Sequence, residues 1–385
     1  MSDRSLLMSE KLNTSPLRIL QISHDYSGPF TDICRMYNGA FPNANITTLY
    51  LRGSESSQVT KATGSDRVIY FGQRQGSLRG IKFSSIFQLA KIFRQNRFDL
   101  VIAHRYKAIY LAGIMSYFFT IPLLIGVAHE HSVFKRFTRA LFVTFWRRKI
   151  QLLAVSDSVA EDILKYCPSL AAQNRVHTIE NAIDEMLADQ ILTRDAARKR
   201  LGIQADKFSF ATVGRLVEKK DHEVLISAYA GIANENNCLV LVGSGSRESQ
   251  LKKLVHDLGL GDKVIFTGMI ADAYQIYCAF DVFVFTSGAK EAFGIVLLEA
   301  MLAKVPIICS DARGPKSVVA DTARVFKQGD IKALEAQMCH MESVDYKART
   351  NLVEKALDRL RSKYTLSIFN SKLQALPALV KLRAG

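Results

Sequence analysis

A chain of 385 residues is too long for one ordinary hydrophobic core, so two domains are expected. Its 48% apolar content is ample for burial, and 51 Lys+Arg against 36 Asp+Glu leave a net charge of +15. That balance points to polyanionic partners (nucleic acid, phosphorylated small molecules or an anionic membrane), with a merely basic, solvated surface as the plain alternative. The six cysteines, at 34, 167, 238, 278, 309 and 339, are scattered without a C-x-x-C pair. They argue for free thiols in a reducing compartment over a disulfide framework.

Residues 1–15 are polar, lack the basic-then-apolar order of a secretory signal, and read as a flexible tail. Leu17 to Ser23 (LRILQIS) is the first expected strand, followed by the loop His24-Asp25-Tyr26-Ser27-Gly28-Pro29 and a helix through Met36. Strands are expected at Ile46 to Leu51, Arg67 to Phe71 and Leu100 to His104 (LVIAH), the last ending on a polar residue. A helix covers Ser84 to Asn96. Residues 108–128 (AIYLAGIMSYFFTIPLLIGVA) run without a charge for long enough to span a bilayer. Pro122 instead divides them into a helix to about Phe119 and a buried strand from Leu123 to Val127. After His129-Glu130-His131 come a helix over Ser132 to Arg148 and a strand from Gln151 to Ser156. Next is a helix over Val159 to Tyr166 capped by Ser156 or Asp157, then a strand from Val176 to Glu180.

The pattern restarts after a polar helix, Thr193 to Leu201, that ends at Gly202. Strands at Phe208 to Val213, Cys238 to Val242 and Val264 to Thr267 alternate with helices at His222 to Ala233, Glu248 to Leu258 and Ala273 to Ala279. The stretch from Asp281 to Pro315 reads as strand, loop, helix (Ile295 to Leu302), strand (Val305 to Cys309) and loop. Helices at Asp330 to Met341 and Tyr346 to Tyr364, and one amphipathic helix from Leu366 to Leu382, close the chain. Strands alternating with helices imply α/β domains with parallel sheets, two Rossmann-like halves around one cleft.

Four features carry chemistry. Glu291 and Glu299 sit eight apart around the start of the 295–302 helix, where ligands of an α/β sheet gather; two carboxylates there suit a polyhydroxyl ligand. Gly214-Arg215-Leu216-Val217-Glu218-Lys219-Lys220 follows a strand and precedes a helix; Arg215 and Lys220 can neutralise a diphosphate, or form a solvated charge run. Gly243-Ser244-Gly245 is too short for a dinucleotide fingerprint but allows amides to face a nucleotide. His129 and His131 follow a buried strand without further ligands at metal spacing, so each is a hydrogen-bonding or a structural histidine. No Asp-x-Asp, Walker, Gly-x-Ser-x-Gly or zinc spacing occurs.

In family order, VGRLVEKKDH, LVGSGSRESQLKKLVHDLGLGDKVIFTGMI and KEAFGIVLLEAM, with AVSDSVAEDI and TIENAID before them, resemble a retaining GT-B glycosyltransferase of glycosyltransferase family 4 with its E-x7-E signature. The resemblance covers roughly residues 17–370 and is most specific in the second half. It implies the GT-B fold, two Rossmann-like domains facing each other across a deep cleft. Residues 16–187 would be the acceptor-side domain and 188–365 the nucleotide-sugar domain, with 366–385 a helix packing back on the first. Position by position, it implies Glu291 on the donor sugar's hydroxyls and Glu299 on the ribose. Phe293, Gly294 and Ile295 would offer amides to the sugar or diphosphate, with Gly214, Gly243 and Gly245 beside the nucleotide. Arg215 and Lys220 would stabilise the diphosphate leaving group, Gly28 would lie near the phosphates, and His129 would face the sugar. Gly28 stands between Ser27 and Pro29 where the family has adjacent glycines. Asp221 and Asn181-Ala182 are two further departures from its pattern.

The implied reaction needs no metal, cofactor or protein nucleophile. It moves a sugar, UDP-linked by preference over GDP-linked, to a glycan or lipid-linked acceptor with retention of configuration, as in lipopolysaccharide or polysaccharide biosynthesis. Residues 132–149 (SVFKRFTRALFVTFWRRK) hold six cations and no acid, with Phe134, Phe137, Leu141 and Phe145 on one helical face. This is either a helix for an anionic membrane surface or an ordinary packed helix, and it places the enzyme in the cytoplasm or at the inner face of the membrane. A nucleotide-sugar epimerase or hydrolase of the same fold and a non-catalytic scaffold are the other classes. Nucleic acid lacks a motif to accompany the charge.

Overall fold

The computed structural model describes residues 16–73, 83–146 and 149–384. The expected tail 1–15, and Arg147 and Arg148 of the basic stretch, lie outside the described residues.

The first sheet contains β1 (Arg18–Ser23), β2 (Asn45–Arg52), β3 (Arg67–Gln73), β4 (Leu100–His104), β5 (Leu123–Ala128), β6 (Ile150–Ala154) and β7 (Val176–Thr178), in the order β3-β2-β1-β4-β5-β6-β7. The second contains β8 (Phe208–Val213), β9 (Asn237–Val242), β10 (Val264–Gly268), β11 (Val282–Phe285), β12 (Ile307–Ser310) and β13 (Arg324–Phe326), in the order β10-β9-β8-β11-β12-β13. Every pairing within them is parallel; β1, for instance, sets Ile19 against Ile46 on one side and Leu100 on the other. Helices cover both faces, which is why β4, β5, β6 and β9 are buried along their whole length and read as near-continuous apolar runs. Both sheets are doubly wound Rossmann-like layers, and together they make the two-domain α/β architecture of the GT-B fold.

The chain crosses between the two layers twice, and the crossings are stitched together: the Ile183 amide donates to the Tyr364 carbonyl at 2.9 Å, and Ile183 bridges to Thr365. The last helices then return to the first domain, where Phe369 meets Tyr37 edge-on at 4.9 Å and Lys372 pairs with Glu180 at 2.7 Å. Arg313 also pairs with Glu161 from domain to domain.

Three expected elements differ. The helix from Ser132 to Arg148 is only Phe137–Phe145, because Ser132 adopts a left-handed conformation (φ 60°) and Phe134 is pulled into the core. The helix from Leu366 to Leu382 is two, Leu366–Gln374 and Pro377–Ala384, since Pro377 has no N–H to continue the first. Part of the loop expected up to Pro315 is helix Arg313–Val319; Gly-Pro looks like a turn, yet proline in a first helical turn loses no internal hydrogen bond. Helix Ser57–Thr63, with its Ser56 cap, and β13 were not anticipated. The stretch 108–128 is helix Arg105–Phe118 followed by β5, and among the described residues no helix is long and apolar enough to cross a membrane. All six cysteines are free thiols.

Candidate functional site

In a doubly wound sheet the crevice opens where strand order reverses, between β1 and β4 in the first domain and between β8 and β11 in the second. The segments leaving β1, β8 and β11 carry Gly28, Gly214, Arg215, Lys220, Glu291, the 293–295 stretch and Glu299, whereas Gly243 and Gly245 follow β9 and His129 and His131 follow β5.

In the second domain, β8 delivers Gly214 and Arg215, and the following turn delivers Lys220. The β11 loop delivers Glu291, with Glu299 on helix Ile295–Leu302 behind it. Lys220 Nζ donates to Glu291 Oε2 at 2.8 Å, and both side chains are largely buried. The lysine backbone is clamped as well, its carbonyl accepting from Thr286 Oγ1 at 2.8 Å, while the ammonium lies 5.0 Å from the centre of the Phe285 ring. Burial by itself would push the Glu291 carboxyl up, but Lys220, Lys219 and Arg215 outweigh it and hold the group below the usual carboxylate range. Burial pulls the Lys220 ammonium down against the opposing pull of Glu291. A carboxyl held below its usual range is ionised at neutral pH, which leaves Glu291 able to accept hydrogen bonds. One of three Lys220 hydrogens is engaged by Glu291 and two remain for a ligand.

Beside this pair the backbone turns into helix Ile295–Leu302 through Gly294, whose φ of 91° favours glycine. Among the described residues the amides of Phe293, Gly294 and Ile295 meet no hydrogen-bond acceptor, which leaves a helix start ready for an anion. The Phe293 ring itself is buried, edge-on to Tyr364 at 5.7 Å. Glu299 is in a different environment from Glu291. Its Oε2 accepts from Tyr277 Oη at 2.8 Å, and burial, with Asp32 of the first domain adding to it, raises the carboxyl to about 7 against the Tyr277 hydrogen bond.

Gly243 and Gly245 act on the scaffold. A β-carbon on Gly243 would fall 1.9 Å from the Gly214 carbonyl oxygen, and one on Gly245 would fall 2.3 Å from that of Leu216. Two of the amides are used within the fold: Gly243 donates to the Gly268 carbonyl at 2.8 Å and Gly214 to that of Val242 at 2.9 Å. These glycines lock the two loops together and thereby place Arg215, which stays exposed to the cleft.

In the first domain Gly28 sits in a left-handed turn (φ 60°) with open space where a side chain would be. His129 follows β5 and belongs to a buried relay. Asn38 Nδ2 donates to the Thr63 carbonyl and Ser65 Oγ, so Asn38 Oδ1 accepts from Gln21 Nε2 at 2.7 Å. Gln21 Oε1 therefore accepts from His104 Nε2 at 2.7 Å, and the bare His104 Nδ1 accepts from His129 Nε2 at 3.0 Å. The relay fixes both tautomers, and burial keeps both rings neutral, with His104 lowered to about 3. His129 Nε2 is thus engaged inward. His131, whose Nε2 bonds Ser158 Oγ at 2.9 Å, is the histidine whose charge feels Glu291. Burial lowers it, Asp162 and Glu291 oppose, and Arg313 adds. Arg105, Lys107, His129 and His131 line a cavity of about 250 Å³.

The structure therefore brings Lys220, Glu291 and the 293–295 amides together, with Arg215 close enough to bias Glu291. It separates Glu299 from them along the helix and places Gly28 and His129 on the opposing wall. Sequence reasoning missed Gln21, His104, Tyr277, Arg52 and Arg105. A signal existed for two: Gln21 and His104 are polar residues inside otherwise apolar strands (LRILQIS, LVIAH), where an unpartnered polar group is costly. Among the described residues no group of three or more His, Cys, Asp or Glu is placed to hold a metal ion.

Two family descriptions match the chain: Glycosyl transferases group 1 over residues 193–359, and Glycosyltransferase Family 4 over 46–186. The lipopolysaccharide core biosynthesis glycosyltransferase LpsD of Rhizobium meliloti is 34% identical over 203 residues, 51% of this chain and 58% of that protein. An uncharacterised glycosyltransferase of Methanocaldococcus jannaschii is 33% identical over 175 residues, 44% of each chain. The chain spans about half the length of the curated relatives it matches. Among solved structures, HepE of Anabaena in complex with UDP and glucose superposes with a TM-score of 0.79 at 20% identity, covering 94% of this chain and 100% of that one. That likeness concerns the fold.

Proposed function

The chain belongs to the group 1 and family 4 glycosyltransferases of GT-B fold, and from that premise we propose that it moves a sugar from a nucleoside-diphosphate sugar, a UDP-sugar in the first instance, to a glycan or lipid-linked acceptor of lipopolysaccharide or related surface-polysaccharide synthesis, with retention of configuration. The observation that carries the reading is the Lys220–Glu291 pair beside unpaired helix-start amides at the crevice of the second sheet.

The residues divide the work as follows. Arg215, the free hydrogens of Lys220 and the 293–295 amides meet the diphosphate and stabilise its charge as it leaves. Glu291, held ionised by Lys220, accepts from the sugar's hydroxyls and orients the ring. Glu299 accepts from the ribose. The bond between the anomeric carbon and the diphosphate oxygen breaks, and the acceptor oxygen bonds the same face of that carbon. The acceptor's proton passes to the departing phosphate oxygen, so the protein supplies neither nucleophile nor base. His129, oriented by His104, forms part of the wall opposite and helps exclude water from the donor. No metal or cofactor enters this scheme.

A membrane-facing surface fits the lipid-linked acceptor. Helix Phe137–Phe145 packs inward by Phe142, whose ring lies 4.9 Å from Tyr110, and leaves Phe137, Leu141 and Phe145 between 56% and 78% exposed on one stripe. Tyr117 and Phe118 are exposed on the neighbouring helix, and Lys135 and Arg136 flank the stripe. Apolar rings beside cations suit the headgroup region of an anionic bilayer, at the cytoplasmic face.

The test is a panel of nucleotide sugars incubated with the full chain and candidate acceptors, followed by mass spectrometry. One donor is expected to give a glycosylated acceptor, and Glu291→Gln is expected to lower its yield about a hundredfold or more. Donor consumption that proceeds equally without any acceptor would instead make the protein a hydrolase or epimerase.

A further inference from the structure

On the first-domain side of the cleft, the ends of β1, β2 and β4 enclose a cavity of about 490 Å³, of whose lining the donor scheme uses Arg215 alone. Its lining is cationic. Arg52 closes β2, Arg105 follows β4, and Arg215 reaches over from the second domain; Asp25 is the one carboxylate among the lining residues. Asp25 does not satisfy the arginines. Its Oδ2 stands 3.8 Å from Arg52 Nη1 and 4.0 Å from Arg105 Nη1, beyond charged hydrogen-bond range, and its Oδ1 accepts from Ser27 Oγ at 2.8 Å. The Nε atoms of both Arg52 and Arg105 are buried and have no hydrogen-bond partner, and His24 Nδ1 is in the same condition. These nitrogens are closed off from the cavity itself; Arg52 and Arg105 line it with the exposed remainder of their side chains, 27% each, and the carboxylates nearest them, Asp25 and Glu130 (3.7 Å from Arg105 Nη2), stand beyond charged hydrogen-bond range.

The arginines are also held in place. Arg105 adopts a left-handed backbone conformation (φ 67°), strained for a residue with a side chain, and its guanidinium stacks 4.0 Å over the Phe30 ring. The opposite wall is equally fixed: Tyr26 packs so tightly on Gly53 that a β-carbon there would fall 2.2 Å from the ring. Strain and close packing of this kind preserve a geometry for something that binds.

We propose that this cavity is a subsite for an anionic group, a phosphate or a carboxylate, carried by the acceptor. The inference rests on the reading that the first domain receives the acceptor. The assignment to acceptor and not donor follows from the lining. Every lining residue but Arg215 belongs to the first domain, and neither Lys220, Glu291 nor the 293–295 amides take part. The donor's diphosphate already has those partners. Planar guanidinium forks match the oxygens of a phosphate or carboxylate in pairs, so the acceptor class is a phosphorylated or acidic sugar, or a glycan on a phosphate-bearing lipid.

The experiment titrates the full chain with inorganic phosphate, and separately with acetate, by calorimetry, first alone and then saturated with whichever nucleoside diphosphate binds it. Phosphate or acetate is expected to bind with the nucleotide in place, and Arg52→Gln and Arg105→Lys are each expected to weaken that binding about tenfold or more while melting within a few degrees of the parent. Preference for phosphate over acetate assigns the phosphorylated acceptor, and the reverse the acidic sugar. Absence of heat with either anion, displacement of the anion by the nucleotide, or unchanged affinity in a variant that melts normally would overturn the proposal. Failure of every nucleoside diphosphate to bind would contradict the glycosyltransferase reading, and the titration of the free protein would still decide the cavity.

Discussion

On the second-domain side of the cleft Lys220 already holds Glu291, Tyr277 already holds Glu299, and glycines at 243 and 245 press the loops into contact with no space left over. On the first-domain side Arg52, Arg105, His24 and His131 each keep a buried nitrogen without a partner, and Gly28 turns in open space. The first surface is held by contacts among its own side chains; the second keeps polar groups that its own side chains leave unpaired. The difference fits the proposed division of labour, since preorganised charge is what stabilises a leaving diphosphate.

That contrast can be broken at its stiffest point. Gly243→Ala is expected to destabilise the protein by about 3 kcal/mol or more, because its methyl would sit against the Gly214 carbonyl, backbone against backbone. Chemical denaturation measures it, and a loss under 1 kcal/mol would mean the loops are not locked. A comparable effect of pH follows from Glu299. Its folded value, about 7, lies above the ordinary 4.5, so the folded state holds its proton more firmly than the unfolded one. Its contribution is fully present below about pH 4.5 and is lost as pH rises through 7. Relative to Glu299→Gln, the parent should lose up to about 3 kcal/mol of stability over that window. Parallel stability curves for the two proteins would contradict the burial argument.

A smaller effect sharpens the first-domain side. His104→Phe removes the acceptor that fixes the His129 tautomer and ring and leaves Gln21 Oε1 unpaired, so transfer is expected to fall about tenfold and the melting temperature to fall with it. A change in melting temperature with normal turnover would make the relay purely structural. Gly28→Ala, with room for its methyl and only the left-handed φ to oppose it, is expected to cost about 1 kcal/mol, well below Gly243→Ala.

The second domain was legible because its chemistry is compact in sequence. Gly214 to Lys220 is one turn and Glu291 to Glu299 another, each placed by the strand just before it. What sequence missed is what long-range pairing creates. Arg52 ends β2 and Arg105 follows β4, with another strand and two helices between them, and they meet only because β2 and β4 flank β1. Gln21 and His104 lay in view as polar interruptions of buried strands, but the direction of the relay required Asn38 and its partners. The basic stretch after residue 131 misled as a helix because its apolar spacing continues through Ser132 and Phe134, where a left-handed residue and a buried ring break it. Similarly, Gly314-Pro315 advertised a turn where the chain begins a helix.

The central claim is that Lys220 and Glu291 form the donor's anchor, and calorimetry of Lys220→Gln with UDP, GDP, ADP and TDP tests it most directly. One nucleoside diphosphate should bind the parent protein and bind the variant about thirtyfold or more weakly, roughly 2 kcal/mol, with the fold intact by circular dichroism. Equal affinity of parent and folded variant for that nucleotide would contradict the account.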